Sequence, residues 1–200
     1  MLVIFGYGSK LSDAVQKRLD YAARVPETFR AAQMDEPPLD AERYLFTAGV
    51  LIGKPVNKMT NAERVSMLDI NFASVVSACE TILDANDRAR ICIIGSESGY
   101  RGSYDKIYAG SKAALHAYVE TRAVGQHQQL VGISPGIIED CGMTERRTDR
   151  DALDKRRAAH PKGRFLKAEE VARVAVFALY DSSEYLCNTV IRLHGGEQCR

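Results

Sequence analysis

The sequence predicts a doubly wound α/β fold, a parallel sheet covered by helices in three α/β/α layers. Short apolar runs alternate with longer amphipathic stretches along the chain. The apolar runs are continuous rather than alternating, as in strands buried on both faces. The length of 200 residues suits a single domain, 1–200, with one sizeable core.

The elements follow in order. Leu2 to Phe5 reads as a buried strand, and Gly6-Tyr7-Gly8-Ser9 turns out of it. Ser9 or Ser12 can cap a helix reaching about Ala23. Thr28 to Met34 holds at most a weak strand between Pro26 and Pro37-Pro38, and Tyr44 to Ala48 is a strand ending at Gly49. Thr60-Asn61-Ala62-Glu63 is a capping box that starts a helix to about Leu83. Ile91 to Ile94 is the clearest buried strand, and a long helix runs from Tyr108 to about Val124. Leu130 to Ser134 is a strand stopped by Pro135-Gly136. A polar, charged segment follows at about 141–166, with a helix near 149–159. Lys167 to Tyr180 is a helix and Thr189 to Leu193 a last strand before Gly195-Gly196.

Composition narrows the function classes. Hydrophobic residues make 46% and charged residues 26%, which excludes global disorder. Lys plus Arg is 27 against 26 Asp plus Glu, a net charge of +1, which disfavours a general nucleic-acid binder. Five scattered cysteines without a CxxC suggest neither a disulfide framework nor a metal site, and fit a reduced cytoplasm. No signal peptide or membrane span is read in the apolar runs.

Ligands of such sheets bind beyond the carboxyl ends of the strands. Glycines after the first strand let a backbone approach a pyrophosphate at a helix N-terminus. Gly6, Gly8, Ser9, Lys10 and Leu11 offer this, although Leu11 takes the place of a third glycine and a plain tight turn fits the same residues. Ser96 follows the strand ending at Ile94, and Tyr108 and Lys112 share one helix face at i and i+4. A nearby ammonium favours the phenolate and lowers a tyrosine pKa, making it a usable acid or base. A serine hydroxyl alongside can polarise a carbonyl oxygen. The pair alone is also compatible with an incidental exposed face.

In combination these segments resemble the short-chain dehydrogenase/reductase family, with this chain an unusually short member reduced in its N-terminal half. Ile94-Gly95-Ser96-Glu97-Ser98-Gly99 is similar to the family's I-S-S-x-x-G, and Tyr108-Ala109-Gly110-Ser111-Lys112-Ala113-Ala114-Leu115 to its Y-x-A-S-K-A-A-L helix. Asp69-Ile70-Asn71 parallels V-N-x, Tyr44 to Gly49 parallels N-N-A-G, Gly163-Arg164-Phe165 with Glu169 to Ala172 parallels G-R-x-x-x-x-E-E-V-A, and Val190 to Gly196 the closing V-I-x-V-D-G-G. The resemblance implies a Rossmann-like fold and an NAD(P)-dependent oxidoreductase acting on a carbonyl or alcohol. Tyr108 would be its acid/base, Ser96 its oxygen holder, Lys112 its ribose anchor and Asn71 part of a water relay. It further implies that Ala48, Gly49, Pro135, Gly136 and Ile138 line the cofactor pocket, and that the chain forms a homodimer or homotetramer through helices 60–83 and 108–124. Ala62, Val65, Leu68, Phe72, Val76 and Cys79 offer apolar contacts there, some of them facing the sheet.

The departures from the family are concentrated early. Lys10 and Ser12 stand where it has its second and third glycines, Thr47 where it has asparagine, and Asp140 near a usual threonine, where a carboxylate would burden a nicotinamide site. One strand and one helix of the first half are missing or reduced. Asp35 corresponds to an acidic residue beside the adenine. Lys10 and Arg30 tilt the cofactor towards NADP rather than NAD, unless both are plain surface charges. Residues 144–167 hold nine Lys or Arg against four Asp or Glu, where the family has its substrate lid. They suit capture of an anionic substrate, or a solvated mobile loop. His160 lies in that segment, His116 reads as structural, and Cys141 has no evident activating partner. The alternative to an enzyme is a binding or sensor module of the same fold that has lost productive dinucleotide binding.

Overall fold

The computed structural model describes residues 1–6, 8–21, 30–31 and 34–197. Six strands form one parallel sheet: β1 Leu2–Phe5, β2 Arg30–Ala31, β3 Arg43–Phe46, β4 Arg90–Ile94, β5 Gln129–Pro135 and β6 Thr189–Leu193, in spatial order β2-β1-β3-β4-β5-β6. The chain leaves β1 to one side for β2 and returns to the other side for β3, so the strand order reverses between β1 and β3. Between β2 and β3 no further helix or strand occurs among the described residues. One strand and helix are therefore absent there, as the sequence suggests, and the expected strand over 28–34 shrinks to the two residues of β2. Parts of that expectation, and the last residues of the first helix, lie outside the described residues.

Alternate side chains of each strand enter opposite layers, which explains the continuous apolar runs. Val3, Phe5, Tyr44, Phe46, Ile91 and Ile93 face one layer. There they meet Val75, Ala78, Cys79 and Ile82 of α3 (Ser74–Ala85) and Leu115 and Val119 of α5 (Lys106–Thr121). Leu2, Ile4, Leu45, Cys92 and Ile94 face the other, against Val15 and Leu19 of α1 (Lys10–Tyr21) and Val171, Ala172 and Ala175 of α8 (Ala168–Val176).

Thr60 caps α2 (Asn61–Leu68) through the capping box read from the sequence: its hydroxyl accepts from Glu63 N and Glu63 accepts from Thr60 N. The helix then widens into a π turn at Asp69–Ala73 before α3, which the sequence reading ran straight through. The continuous stretch Asn61–Ala85 has the length and apolarity of a membrane span, but its inner face packs on the sheet. Cys79 is thus spent in the core, while Val65 and Leu68 stay exposed on the outer face. Asp105 caps α5, accepting from Tyr108 N at 3.0 Å. The charged segment forms two short helices, α6 Gly142–Glu145 and α7 Arg150–Ala159, and between β4 and α5 lies α4 Ser98–Arg101.

Phe5 and Phe46 stack with ring centroids 4.2 Å apart under the β1–β3 crossover point. Truncating Phe46, which is 1% exposed, opens a cavity against that ring. Phe46→Ala is expected to lower unfolding free energy by about 3–5 kcal/mol in urea titration. A change under about 1 kcal/mol would show that this stack does not hold the crossover.

Candidate active site

A cleft of about 610 Å³ lies along the carboxyl ends of β1, β3, β4 and β5, where the strand order reverses. Gly6, Gly8, Ser9, Lys10 and Leu11 line one side, Ala48 and Gly49 the floor, and Pro135, Gly136 and Ile138 the far side. Ser96, Tyr108 and Lys112 line the same cleft. The arginine side chain at position 30 lies outside the described residues. Asp35 is exposed in the bend after β2 and does not line the cleft.

The glycine loop is built tightly. Gly6 has φ +87°, and a Cβ there would come within 2.6 Å of Ala48 N. Gly8 has φ +83° with open space beside it, so backbone faces the cleft. Ser9 caps α1, its hydroxyl accepting from Ser12 N at 3.1 Å. The two departures from the glycine pattern prove mild. Ser12 is buried and turns its hydroxyl back onto Ser9 O at 2.7 Å. Lys10 points across the cleft mouth to Glu145 at 3.0 Å. Thr47 donates to Phe5 O at 2.8 Å and so stitches the end of β3 to β1. Asp140 is not among the residues lining the cleft; its carboxylate accepts from Ala168 N at 2.8 Å, at the start of α8.

Asn71 projects inward from the π turn and is fully buried. Its amide accepts from Val50 N and donates to Val50 O, both at 2.8 Å. A Cβ at Gly49 would lie 3.2 Å from Asn71 Oδ1 and 3.5 Å from Lys112 Nζ, so Gly49 separates the two with little room to spare. Lys112 is 2% exposed and donates to Ile94 O at 3.2 Å. Burial pulls its pKa down to about 8. Tyr108 is also buried, and the same desolvation raises its phenol above the ordinary value, against a hydrogen bond with Ser96 that lowers it. This reverses the expectation from spacing. Burial desolvates both groups, and Lys112 Nζ stands 6.0 Å from the Tyr108 ring centre, directed to a carbonyl rather than to the phenol.

Glu97 and Arg192 escape sequence reasoning, while His116, read as structural, supports the serine loop. His116, one helical turn beyond Lys112, sits under the serine loop, its Nε2 3.5 Å from Ser96 N. Cβ atoms at Gly95 or Gly99 would collide with its ring at 2.5 and 2.6 Å. Burial pushes its pKa down to about 4, so it stays a neutral acceptor. Glu97, beside Ser96, is 4% exposed and takes Arg192 of β6 at 2.6 and 2.9 Å and Ser134 Oγ at 2.8 Å. Burial works to raise its pKa, and those partners hold it below the usual carboxylate value. Arg192 covers Tyr100, which stacks on His116. The signal for His116 was available in Gly95 and Gly99, whose missing side chains make room for it. Nothing in the local sequence pairs Glu97 with Arg192. Cys141 lines the cleft as a neutral thiol, pushed up to about 11 by burial. No metal-binding group occurs among the described residues.

Comparison with known proteins follows this geometry. A family model described as enoyl-(acyl carrier protein) reductase matches residues 23–197. A 3-oxoacyl-[acyl-carrier-protein] reductase of Chlamydia trachomatis is 30% identical over 156 residues, 74% of this chain and 62% of that protein. A rhamnolipid-biosynthesis 3-oxoacyl-[acyl-carrier-protein] reductase of Pseudomonas aeruginosa is 30% identical over 65% of this chain and 56% of its own length. The chain thus spans about three fifths of the curated relatives it matches. Among solved structures, a short-chain dehydrogenase family protein of Francisella tularensis superposes with TM-score 0.84 at 16% identity, covering 98% and 97% of the two chains. An NADP-bound 3-oxoacyl (acyl-carrier-protein) reductase of Agrobacterium tumefaciens superposes with TM-score 0.81 at 18% identity, covering 98% and 93%.

A desolvated ammonium held by one carbonyl destabilises the fold. Lys112→Met is expected to raise unfolding free energy at pH 7 by about 1–2 kcal/mol. The sign follows from the protons: between about pH 8 and 10 the unfolded chain keeps the Lys112 proton that the folded chain has lost, so the wild type gains stability as pH rises there. The variant lacks that gain, and the two stability curves should converge over this range. Curves running parallel would show that Lys112 keeps its proton when buried.

Proposed function

The chain belongs to the short-chain dehydrogenase/reductase family, and we propose that it is an NAD(P)-dependent oxidoreductase of a small carbonyl or alcohol substrate, with NADP as the preferred cofactor. The observation that carries this reading is that Ser96, Tyr108 and Lys112 line one cleft at the carboxyl ends of the strands, with Tyr108 and Lys112 buried in its wall. Nothing in the fold requires three buried or half-buried polar groups to meet there.

The residues present fit a dinucleotide. The open backbone at Gly8 and the first turn of α1 suit a pyrophosphate. Ala48, Gly49 and Lys112 would hold the nicotinamide ribose, and Pro135, Gly136 and Ile138 the far face of the ring. When bound, the nicotinamide supplies or accepts the hydride. The protein's own part is proton transfer and alignment. Tyr108 Oη gives its proton to the substrate oxygen in reduction and takes it back in oxidation. Ser96 Oγ holds that oxygen beside it. Lys112, with a pKa of about 8, can hold or release a proton near neutrality. Asn71, clamped to Val50, fixes the floor between β3 and Lys112 and is placed to order a water there. Lys10 at the cleft mouth and the NADP-bound neighbour support NADP over NAD. The relatives' reductase names lend nothing to a non-catalytic module. A cytoplasmic homo-oligomer completes the proposal, with Val65 and Leu68 of α2 supplying exposed apolar contacts.

Titration with NADPH and then NADH, followed by nicotinamide fluorescence, tests the cofactor. Micromolar, tighter binding of NADPH is expected, and absence of binding up to millimolar for both would sink the enzyme reading. Tyr108→Phe should keep NADPH binding while lowering carbonyl reduction about 10²–10⁴-fold. Light scattering at micromolar concentration should give a mass two or four times that of the chain; a lone chain's mass would refute self-association.

A further inference from the structure

The cleft has two halves of different character. Around the strand ends it is lined by glycines and apolar residues. Beyond Ser96 and Tyr108 it is lined by Arg101, Gly102, Ser103, Tyr104, Arg147 and Arg156. Two carboxylates line the cleft among the described residues, and both are already matched. Glu97 is engaged by Arg192, and Glu145 by Lys10. The arginine half therefore has no carboxylate of its own within the cleft wall.

Two of these arginines are held by one acid from outside the wall. Glu197, beyond the end of β6, meets Arg101 of α4 at 2.7 Å and Arg156 of α7 at 3.2 Å. Its side chain is 17% exposed and that of Arg101 18%. Contact with Arg101 and then Arg156 takes its pKa down to about 2. Arg156 meets Glu197 through Nε, and its side chain stays 46% exposed. Three segments distant in sequence, the serine loop, the basic helix and the turn after β6, converge on that group. A partly buried ion pair gives up hydration that offsets much of its attraction, so stability alone is a weak reason for the arrangement. Guanidinium forks fixed in place are, by contrast, the side chains best suited to carboxylate or phosphate oxygens.

Resting on the oxidoreductase reading of this cleft, we propose that Arg101 and Arg156, positioned by Glu197, form a subsite for an anionic group of the substrate. The substrate class is then acidic carbonyl compounds or the corresponding hydroxy compounds, their carboxylate or phosphate held at the arginines while the carbonyl meets Ser96 and Tyr108. Glu197 acts through the arginines and is a positioning residue.

The test compares kcat/KM with NADPH for keto acids, phosphorylated ketones and neutral methyl ketones of matched length. Acidic substrates should lead neutral ones by at least tenfold, and which acid leads separates carboxylate from phosphate. Arg156→Met should lower the acid-to-neutral ratio at least tenfold, Arg156→Lys should restore part of it, and Glu197→Gln should lower it severalfold through KM. General structural damage would depress both substrate types and leave the ratio unmoved. A ratio near one in the wild type, or unchanged in Arg156→Met and Glu197→Gln, overturns the proposal. Should no carbonyl compound turn over, the oxidoreductase reading fails separately, and calorimetry with inorganic phosphate and with acetate still reads the subsite. Anion binding lost in Arg156→Met but kept in Lys10→Met supports it; the opposite pattern places the anion in the glycine-loop half and overturns it.

Discussion

The fold turns on the seam between β1 and β3. Phe5 O receives both Thr47 N at 2.7 Å and Thr47 Oγ1 at 2.8 Å, and Gly6 presses on Ala48 so closely that no side chain fits. Phe5 and Phe46 stack beneath. Because the chain departs from this seam in opposite directions, the loops after the two strands part, and the cleft opens between them. The sheet is cut short away from this seam, at the two-residue edge strand β2 on the other side of β1. Shortening there removes outer sheet while sparing the seam. It explains how a chain reduced in its first half keeps Gly8, Ala48, Ser96 and Lys112 around one cleft.

The same cleft stores an electrostatic cost. Lys112, Asn71 and Ser134 are fully or nearly fully buried, and Tyr108 hardly less so. An apolar interior at these positions would fold more stably, since buried ammonium groups give up hydration that a single carbonyl only partly replaces. Glu97 shows how the fold pays elsewhere for such groups: two guanidinium nitrogens and a hydroxyl satisfy one carboxylate beside the serine loop. Lys112 receives no such compensation from protein charge. Local expense without local benefit to stability is the mark of a site retained for what it binds or does.

What was legible in the sequence follows from distance along the chain. Features set within one element or its cap were readable: the Thr60–Glu63 capping box, the i, i+4 pair of Tyr108 and Lys112, the apolar runs of β1, β4 and β5. So was the order of motifs from residue 44 onward. Features set by two elements meeting were not. Glu97 and Arg192 are 95 positions apart, and Glu197 and Arg101 are as distant along the chain yet meet at 2.7 Å. The π turn at Asp69–Ala73 leaves the helical composition unchanged, so no local signal marks it. The partner of Asp140 is hidden for a related reason: its spacing from Pro135-Gly136 is local, while the amide it accepts from belongs to Ala168 at the start of α8. The Tyr108 pKa was misjudged because spacing reports proximity but not desolvation.

The basic segment answers to both of its sequence readings, at different residues. Arg147 pairs with Asp149 within its own turn, and Arg157 with Asp154 within α7, although Arg157 also reaches Glu139 at 3.2 Å. Those are the ordinary arrangements of a solvated charged stretch. Arg156 lies on the same helix as Arg157 but reaches Glu197, which reaches Arg101. Lys10 and Glu145 cross the cleft at its other end. Ion pairs that span elements fix where a lid stands; ion pairs within an element only keep it soluble. The charged segment is thus tied to the body at the glycine loop by Lys10–Glu145 and at the serine loop by Arg156–Glu197–Arg101, as well as by Arg157–Glu139. Opening either end means exchanging a protein partner for a ligand or for water. An anion entering between the arginines competes for donors already held in place, so much of the entropy of ordering them has been lost before it arrives.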